Sequence, residues 1–279
     1  MFTRRLLVVL VIGLLASGHP VANAAEGEEA EAPESAVSSP PMEMDDPATP
    51  GQRGIEVNLV ATLLHAGTGH GSESLFDANY GIGDRLQLKF ERPYVTEIEE
   101  GVPYQQGVGA SEFGVKWRFV DHSGLEIAIY PQYEFNDAFT IRDAEGNPED
   151  KEGSSVFIPV LISKTLARVY TVAANAGYRH NVTHSLDDWA VGLGAGRALG
   201  NNARILGEVY SIRDDHLGNI ETDVRGGLAG VLFPSAFEKS RFELGEFASV
   251  GHNIGQTEAG NNVLSVTFGL QFIMKPAGE

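Results

Sequence analysis

Large apolar residues occupy every second position of the segment 263–272, which reads VLSVTFGLQF. The positions between them carry Ser265, Thr267, Gly269 and Gln271. A period of two indicates a β-strand with one apolar and one polar face. Similar alternation runs through 55–63, 84–91, 112–119 and 170–179.

Two segments depart from this pattern. The segment 154–164 is apolar on both faces, and in 240–250 Glu246 falls on the side of Phe242 and Leu244. We expect either a bulge in the second segment or an exchange of its two faces.

Twelve strands and their connections follow from the pattern. Tight connections are predicted around 83–84, 121–124, 164–167 and 200–202, and longer ones at 66–73, 95–108, 136–153, 181–186, 214–218 and 251–261, with 233–239 of middling length. The predicted strands are 55–65, 74–82, 84–94, 109–120, 124–135, 154–164, 167–180, 187–198, 202–213, 219–231, 240–250 and 262–273.

The alternation of short and long connections favours an all-β fold of one kind: a single closed antiparallel transmembrane β-barrel of about 12 strands, of the outer-membrane type. Closure pairs every backbone group within the wall, as a bilayer requires. Aromatic residues expected at the two membrane interfaces are Tyr170, Tyr178, Trp117, Trp189 and Phe272. A soluble periplasmic sandwich is the alternative, which the strand lengths and the alternating connections disfavour.

The chain divides into three predicted parts. Residues 1–24 have the basic start, apolar stretch and small-residue cleavage site of a secretory signal peptide. Residues 25–52 are acidic and proline-rich, and we interpret them as a disordered tether. Residues 53–279 are the predicted barrel. Export and barrel together predict the outer membrane of a Gram-negative bacterium.

Charge and cysteine content exclude several classes of function. The chain has 20 basic and 38 acidic residues, and loss of Arg4 and Arg5 with the signal peptide leaves a net charge of about −20. Such a chain has no general basic field for nucleic acid. It has no cysteine, so there is neither a disulfide framework nor thiol chemistry.

Four segments resemble a known family. They read FDANYGIGDRLQLKFERPYV (76–95), GASEFGVKWRFVD (109–121), FIPVLISKTLARVYTVAANAGYRH (157–180) and WAVGLGAGRALGNNARILGEVYSIR (189–213). They are similar to the outer-membrane β-barrel proteins linked by name to the meta-pathway of phenol degradation. The resemblance implies an outer-membrane location, a role in transport and an aromatic or hydrophobic solute, and it assigns no substrate residue.

The inward face of the predicted barrel carries a set of charged residues. They either form salt bridges that fill and stiffen the lumen or line a pore and set its selectivity. The set consists of Glu56, Lys89, Glu91, Glu112, Lys116, Arg118, Glu126, Glu134, Arg179, Glu208, Asp223 and Arg225.

Three glycines, Gly192, Gly194 and Gly196, form a stripe without side chains on one inward face. Such a stripe leaves room for a solute, or it permits bending or the close approach of another group. No helical pattern follows the string GLGAG, so a dinucleotide site is not expected.

Candidates for catalysis and metal binding are weak. His70 and Ser72 have the spacing of one outer-membrane phospholipase but fall in a predicted loop without that enzyme's signature. His180 and His184 could bracket a metal with Asp187 or Asp188, but ligands four apart in a loop are weak evidence. We therefore expect no catalytic residue, no metal and no cofactor.

These observations predict a passive channel or uptake protein for small solutes. The alternatives are a closed structural or adhesive barrel that acts through its extracellular loops and a lipid-processing outer-membrane enzyme. Residues 25–52 are too polar for a typical hydrophobic plug, so we expect an unplugged lumen. The expected partners are outer-membrane lipids and a solute of unknown identity, and the oligomeric state is open.

Overall fold

The computed structural model describes residues 42–67, 69–98, 104–135, 153–167, 169–183, 185–200, 203–214, 219–232, 241–254 and 263–275. All of them fall in one unit, Ala32–Glu279. Within these ranges no helix is long and apolar enough to span a membrane.

Fourteen strand segments make up the described fold. They are β1 (Ile55–Ala66), β2 (Gly69–Ile82), β3 (Leu86–Ile98), β4 (Gln105–Val108), β5 (Ser111–His122), β6 (Leu125–Ile129), β7 (Gln132–Phe135), β8 (Ser155–Leu166), β9 (Tyr170–Asn181), β10 (Leu186–Ala198), β11 (Ala203–Asp214), β12 (Asn219–Leu232), β13 (Phe242–Asn253) and β14 (Val263–Met274).

Two pairs of segments are single wall strands with a short interruption. Both β4 and β5 pair with β3, and both β6 and β7 pair with β8. The barrel wall therefore has 12 strands, as the sequence predicted.

The first and last strands close the barrel. β1 and β14 pair antiparallel along their whole length, from Ile55 opposite Met274 to Ala66 opposite Val263. Every other neighbouring pair is also antiparallel. Closure leaves no unpaired edge, which confirms the predicted closed antiparallel barrel.

Burial in this barrel is the reverse of burial in a soluble protein. On the outer surface large apolar side chains are exposed, among them Leu193 at 68%. On the inner surface polar side chains are buried, among them Asn58 at 0%. The arrangement is that of a transmembrane barrel, whose exposed face contacts hydrocarbon.

The two ends of the barrel differ. The turn end carries the chain's entry into β1 and several tight connections, including a two-residue turn at Ser123 and Gly124, both with positive φ (52° and 73°). Positive φ at both positions is typical of a type I′ hairpin turn. The loop end carries the connections on either side of Tyr104 and between β7 and β8.

Aromatic residues collect towards both ends of the outer surface. Tyr178 and Trp189 lie near the loop end with ring centroids 5.1 Å apart, while Trp117, Tyr170 and Phe272 lie towards the turn end. Two belts of this kind are typical of membrane interfaces.

Three local expectations change. The predicted long loop 66–73 is wrong, because β1 continues to Ala66 and β2 begins at Gly69. Glu246 lies on the outer side of β13 without a bulge, and Phe247 points inward. The observed bulge is instead in β5, where the register shifts between Arg118 and Val120.

Candidate functional site: the occupied lumen

The inner face brings the predicted charged set together. All twelve residues lie on the side of the wall that carries the buried polar residues. The seven acidic members outnumber the five basic ones. Whether they determine selectivity stays a prediction.

Lys89 is the centre of one ionic network. Its Nζ lies 2.5 Å from Glu91, 3.9 Å from Glu112 and 3.6 Å from Asp45. The ammonium group also lies 5.6 Å from the centroid of the Tyr130 ring. A buried lysine is tolerable in such surroundings because opposite charges compensate for its lost hydration.

A second network lies nearer the turn end. Arg118 pairs with Glu126 at 2.5 Å and with Asp121 at 3.3 Å. Ser163 on β8 donates a hydrogen bond to Glu126. These contacts connect three neighbouring wall strands across the inner face.

The predicted charged set does not include several other polar residues of the lumen. Asn58 donates hydrogen bonds to Glu56 and to Asp77, both at 2.8 Å. Asn175 faces the lumen from β9. The period-two pattern could have identified Asp77, because it shares the inner face of β2 with Asn79.

The unexpected feature is that residues 42–50 lie inside the barrel. The segment enters from the turn end, where the Thr49 hydroxyl donates to the carbonyl of Asp84 at 3.0 Å. Farther in, Lys116 Nζ donates to the carbonyl of Ala48 at 3.3 Å.

Wall residues near mid-height bind the inner part of this segment. Asn175 donates to the carbonyl of Asp45 at 2.8 Å. Glu208 accepts the backbone N–H groups of Glu43 and Met44 at 2.7 and 3.1 Å. Arg225 pairs with the Glu43 carboxylate.

Two methionines anchor the segment in spaces left by glycines. Met44 is fully buried and packs against Ala173 and Tyr210. A Cβ on Gly192 would lie only 2.7 Å from Met44 Cγ and Sδ. Met42 Cε lies 3.3 Å from where a Cβ on Gly227 would lie, although the Ala248 carbonyl at 2.8 Å and Ser249 Cβ at 2.9 Å would be nearer still.

These contacts correct the expectation of an unplugged lumen. The lumen is not empty: it is occupied by the part of the predicted tether that the structure describes, residues 42–50. The segment is too polar for an apolar plug, but the lumen is itself polar and supplies donors and acceptors to its backbone. The glycine stripe at Gly192 serves close approach to Met44.

Large side chains and glycines fill much of the remaining interior. A Cβ on Gly114 would meet the Tyr130 ring at 2.6 Å, and one on Gly177 would meet Phe157 at 2.4 Å. Each large residue thus occupies the space that its neighbour leaves free.

A cavity of about 50 Å³ remains beside the segment. It has room for a small water cluster, far less than a drug-sized ligand requires. Burial raises the pKa of Asp46, in its lining, to about 7, although the Lys116 ammonium opposes the shift. Arg204 and Glu56 also line it.

The candidate enzyme pair does not come together. His70 and Ser72 lie in β2, not in a loop. The His70 ring stacks on His65 with centroids 4.7 Å apart, and the Ser72 hydroxyl hydrogen-bonds Thr96 at 2.7 Å. The described contacts therefore do not form a nucleophile–base pair.

The candidate metal ligands form a different contact. His180 Nδ1 lies 2.8 Å from Asp187, and His184 is outside the described residues. Asp188 is adjacent to this pair in the chain. Within the part of the chain that the structure describes, no group of three His, Asp or Glu side chains could hold a metal ion.

No protein-family model matches the chain, and no curated protein matches it. Among solved structures, it is similar to the COG4313 outer membrane channel from Pseudomonas putida F1, with a TM-score of 0.61 and 11% identity over 84% of this chain and 99% of that chain. The fold is that of outer-membrane β-barrels.

Two porins share the fold. The NanC porin gives a TM-score of 0.56 at 7% identity, covering 77% of this chain and 98% of that one. The KdgM porin in complex with disordered oligogalacturonate gives 0.53 at 9% identity, covering 78% and 98%. Identities this low show the fold alone, so the resemblance to the phenol-linked family stays a prediction.

Proposed function

We propose that the protein is a narrow passive channel of the outer membrane that conducts small polar solutes and prefers cations. The observation that carries the proposal is the ionic lining of a closed barrel, in which acidic groups exceed basic ones. Charged rings in a narrow pore select ions of the opposite sign. The similar solved structures, which include a channel and two porins, support transport.

Additional lumenal groups strengthen the acidic excess. Asp77 adds a carboxylate to the wall, whereas Arg204 adds a positive charge. The segment in the lumen brings Glu43, Asp45 and Asp46. A passing cation meets the carboxylates of the barrel wall along the described part of the path, and an uncharged aromatic solute finds little apolar surface there.

The difference between the two barrel ends gives an orientation of the barrel in the membrane. Outer-membrane barrels have short periplasmic turns and longer extracellular loops. In the proposed orientation the turn end faces the periplasm and the loop end faces the outside. Residues 42–50 then occupy the lumen from the periplasmic side.

The occupied lumen also supports a second candidate, a permanently closed barrel that acts through its loops. The two candidates differ in whether ions cross. No chemistry is assigned to the barrel under either one, because the described His70 and Ser72 contacts form no catalytic pair.

Refolded full-length protein in a planar bilayer tests the proposal. We expect discrete conductance steps and, in a KCl gradient, a reversal potential of the sign that K⁺ selectivity gives. Anion selectivity would overturn the proposed solute class. Silence at all voltages and salt concentrations would favour the closed barrel.

A further inference from the structure

The contacts to residues 42–50 have the character of a peptide-binding site. Asn175 and Lys116 donate to backbone carbonyl groups of the segment, and Glu208 accepts two of its N–H groups. These three residues lie on β9, β5 and β11. Main-chain hydrogen bonds combined with side-chain pockets are how proteins bind extended peptides.

One side-chain pocket and two ion pairs add specificity. Met44 occupies the pocket of Gly192, Ala173 and Tyr210. Glu43 pairs with Arg225, and Asp45 with Lys89 at 3.6 Å. The site thus fits a peptide with acidic residues on either side of a methionine.

The segment has a fixed base on the wall. Arg53 donates its N–H to the carbonyl of Gly81 at 3.0 Å, and Gly81 donates to the carbonyl of Gly54 at 2.9 Å. A turn in which Gly54 donates to the carbonyl of Gly51 at 3.1 Å separates this base from the lumenal part. Residues 42–50 could therefore leave the lumen while the base stays attached to β2.

The barrel does not need the segment for closure. β1 and β14 pair along their whole length independently of residues 42–50. The wall groups that bind the segment are polar or charged, and water can replace its hydrogen bonds when it leaves. The segment itself is acidic and suited to an aqueous compartment.

We propose that the lumen holds a peptide-binding site whose resident ligand is residues 42–50 of the same chain, and that withdrawal of this segment towards the turn end opens the channel. The part of this inference that concerns channel opening rests on the proposed function. The peptide site itself stands on the contacts above.

A disulfide lock tests the proposal, because the natural chain has no cysteine. We would combine Met44→Cys with Gly192→Cys in the full-length protein, since these positions are in direct contact. Met44→Cys with Ala173→Cys is a second lock that avoids adding a side chain at position 192. Mass spectrometry of oxidised samples verifies the crosslink.

We expect the oxidised double variants to lose the channel openings, which a reductant restores. The matched control is Met44→Cys alone, which cannot form an intramolecular disulfide and should not respond to oxidation. An oxidised, fully crosslinked barrel that conducts as well as its reduced form would overturn the gating proposal.

Thiol labelling separates this inference from the channel proposal. Met44→Cys in the unlocked chain should react with a water-soluble maleimide at a measurable rate, slower than His122→Cys at the exposed turn end. Complete protection of position 44 while position 122 reacts would overturn withdrawal of the segment. If labelling occurs but no variant conducts in any state, withdrawal stands and the channel proposal fails.

Discussion

The thioether of Met44 lies where Gly192 has no side chain. A Cβ at position 192 would come within 2.7 Å of Met44 Cγ and Sδ, a separation that real Cβ contacts do not show. One residue precedes the barrel and the other lies in the middle of its wall. Their complementarity indicates that Gly192 accommodates a segment of the chain itself.

Filling this space should expel the segment. We expect Gly192→Leu to increase the open probability in planar bilayers, because Met44 and a leucine cannot occupy the same volume. Gly207→Ala is the control, since a Cβ there meets nothing closer than 3.8 Å. Unchanged conductance in a folded Gly192→Leu barrel would argue against occupation of this pocket by Met44.

Removal of the Glu208 carboxylate should loosen the segment without closing the pocket. Glu208→Ala deletes the acceptor of two backbone N–H groups, each bond to a charged acceptor being worth about 1.5–3 kcal/mol. We expect faster maleimide labelling of Met44→Cys in this background. An unchanged labelling rate would mean that these hydrogen bonds do not hold the segment.

Acid should favour the docked segment. Burial raises the pKa of Asp46 to about 7 from its ordinary value of 3.8, so the docked state binds the proton more tightly than a withdrawn, hydrated one. This stabilisation is complete below pH 3.8 and is lost as the pH rises through about 7. Within that window the docking constant changes by at most about tenfold per pH unit.

Channel recordings at several pH values in this range check the effect. We expect more openings at high pH in the natural chain and a weaker pH dependence in Asp46→Asn. The charged groups that act on Asp46 are Lys116, Glu126, Glu56 and Arg204. An Asp46→Asn variant with the full pH dependence would assign the effect to other groups.

Lumenal lysine should oppose cation passage. We expect Lys116→Ala to fold normally and to shift the reversal potential towards stronger K⁺ selectivity, because it removes a positive charge from the path. Lys164→Ala is the control, since Lys164 contacts the Ser123 carbonyl at the exposed turn end. Equal shifts in both variants would indicate a surface-charge effect rather than selectivity of the lumen.

A charged residue on the outer surface should destabilise the barrel by an amount that depends on its depth in the bilayer. Leu193 is exposed near the middle of β10, so Leu193→Arg should cost about 2–4 kcal/mol if it faces mid-bilayer. Ile220→Arg, near the loop end of β12, should cost only about 0–1 kcal/mol. Equal unfolding free energies in lipid vesicles would mean that this surface does not contact hydrocarbon.

Two further outward positions lie on strands whose alternation is clear in the sequence. Val172 and Val266 both lie on the outer side, where the alternation of 170–179 and 263–272 placed them. Arginine at either position should lower the free energy of unfolding by less than Leu193→Arg does, because both positions lie nearer the barrel ends.

Alternation along the chain was sufficient to predict the strands because a two-faced wall imposes a period of two on every segment. It placed Phe268 outward and Thr267 inward, and both positions agree with the structure. The alternation was less reliable where strands extend beyond the apolar band, as at His70. Both faces of a strand meet polar surroundings there, so the sequence shows no period of two.

The sequence alone determined the strands and, where the alternation is clear, the two faces of each strand, because backbone geometry fixes the direction of each successive side chain. Only the tertiary structure decided what fills that lumen. The contacts of Met44 with Gly192 and of Glu43 with Arg225 join positions far apart in the chain, and no local pattern encodes them. A polar segment looks disordered by itself because it cannot bury a core of its own, yet a closed wall of complementary polar groups gives it a binding site.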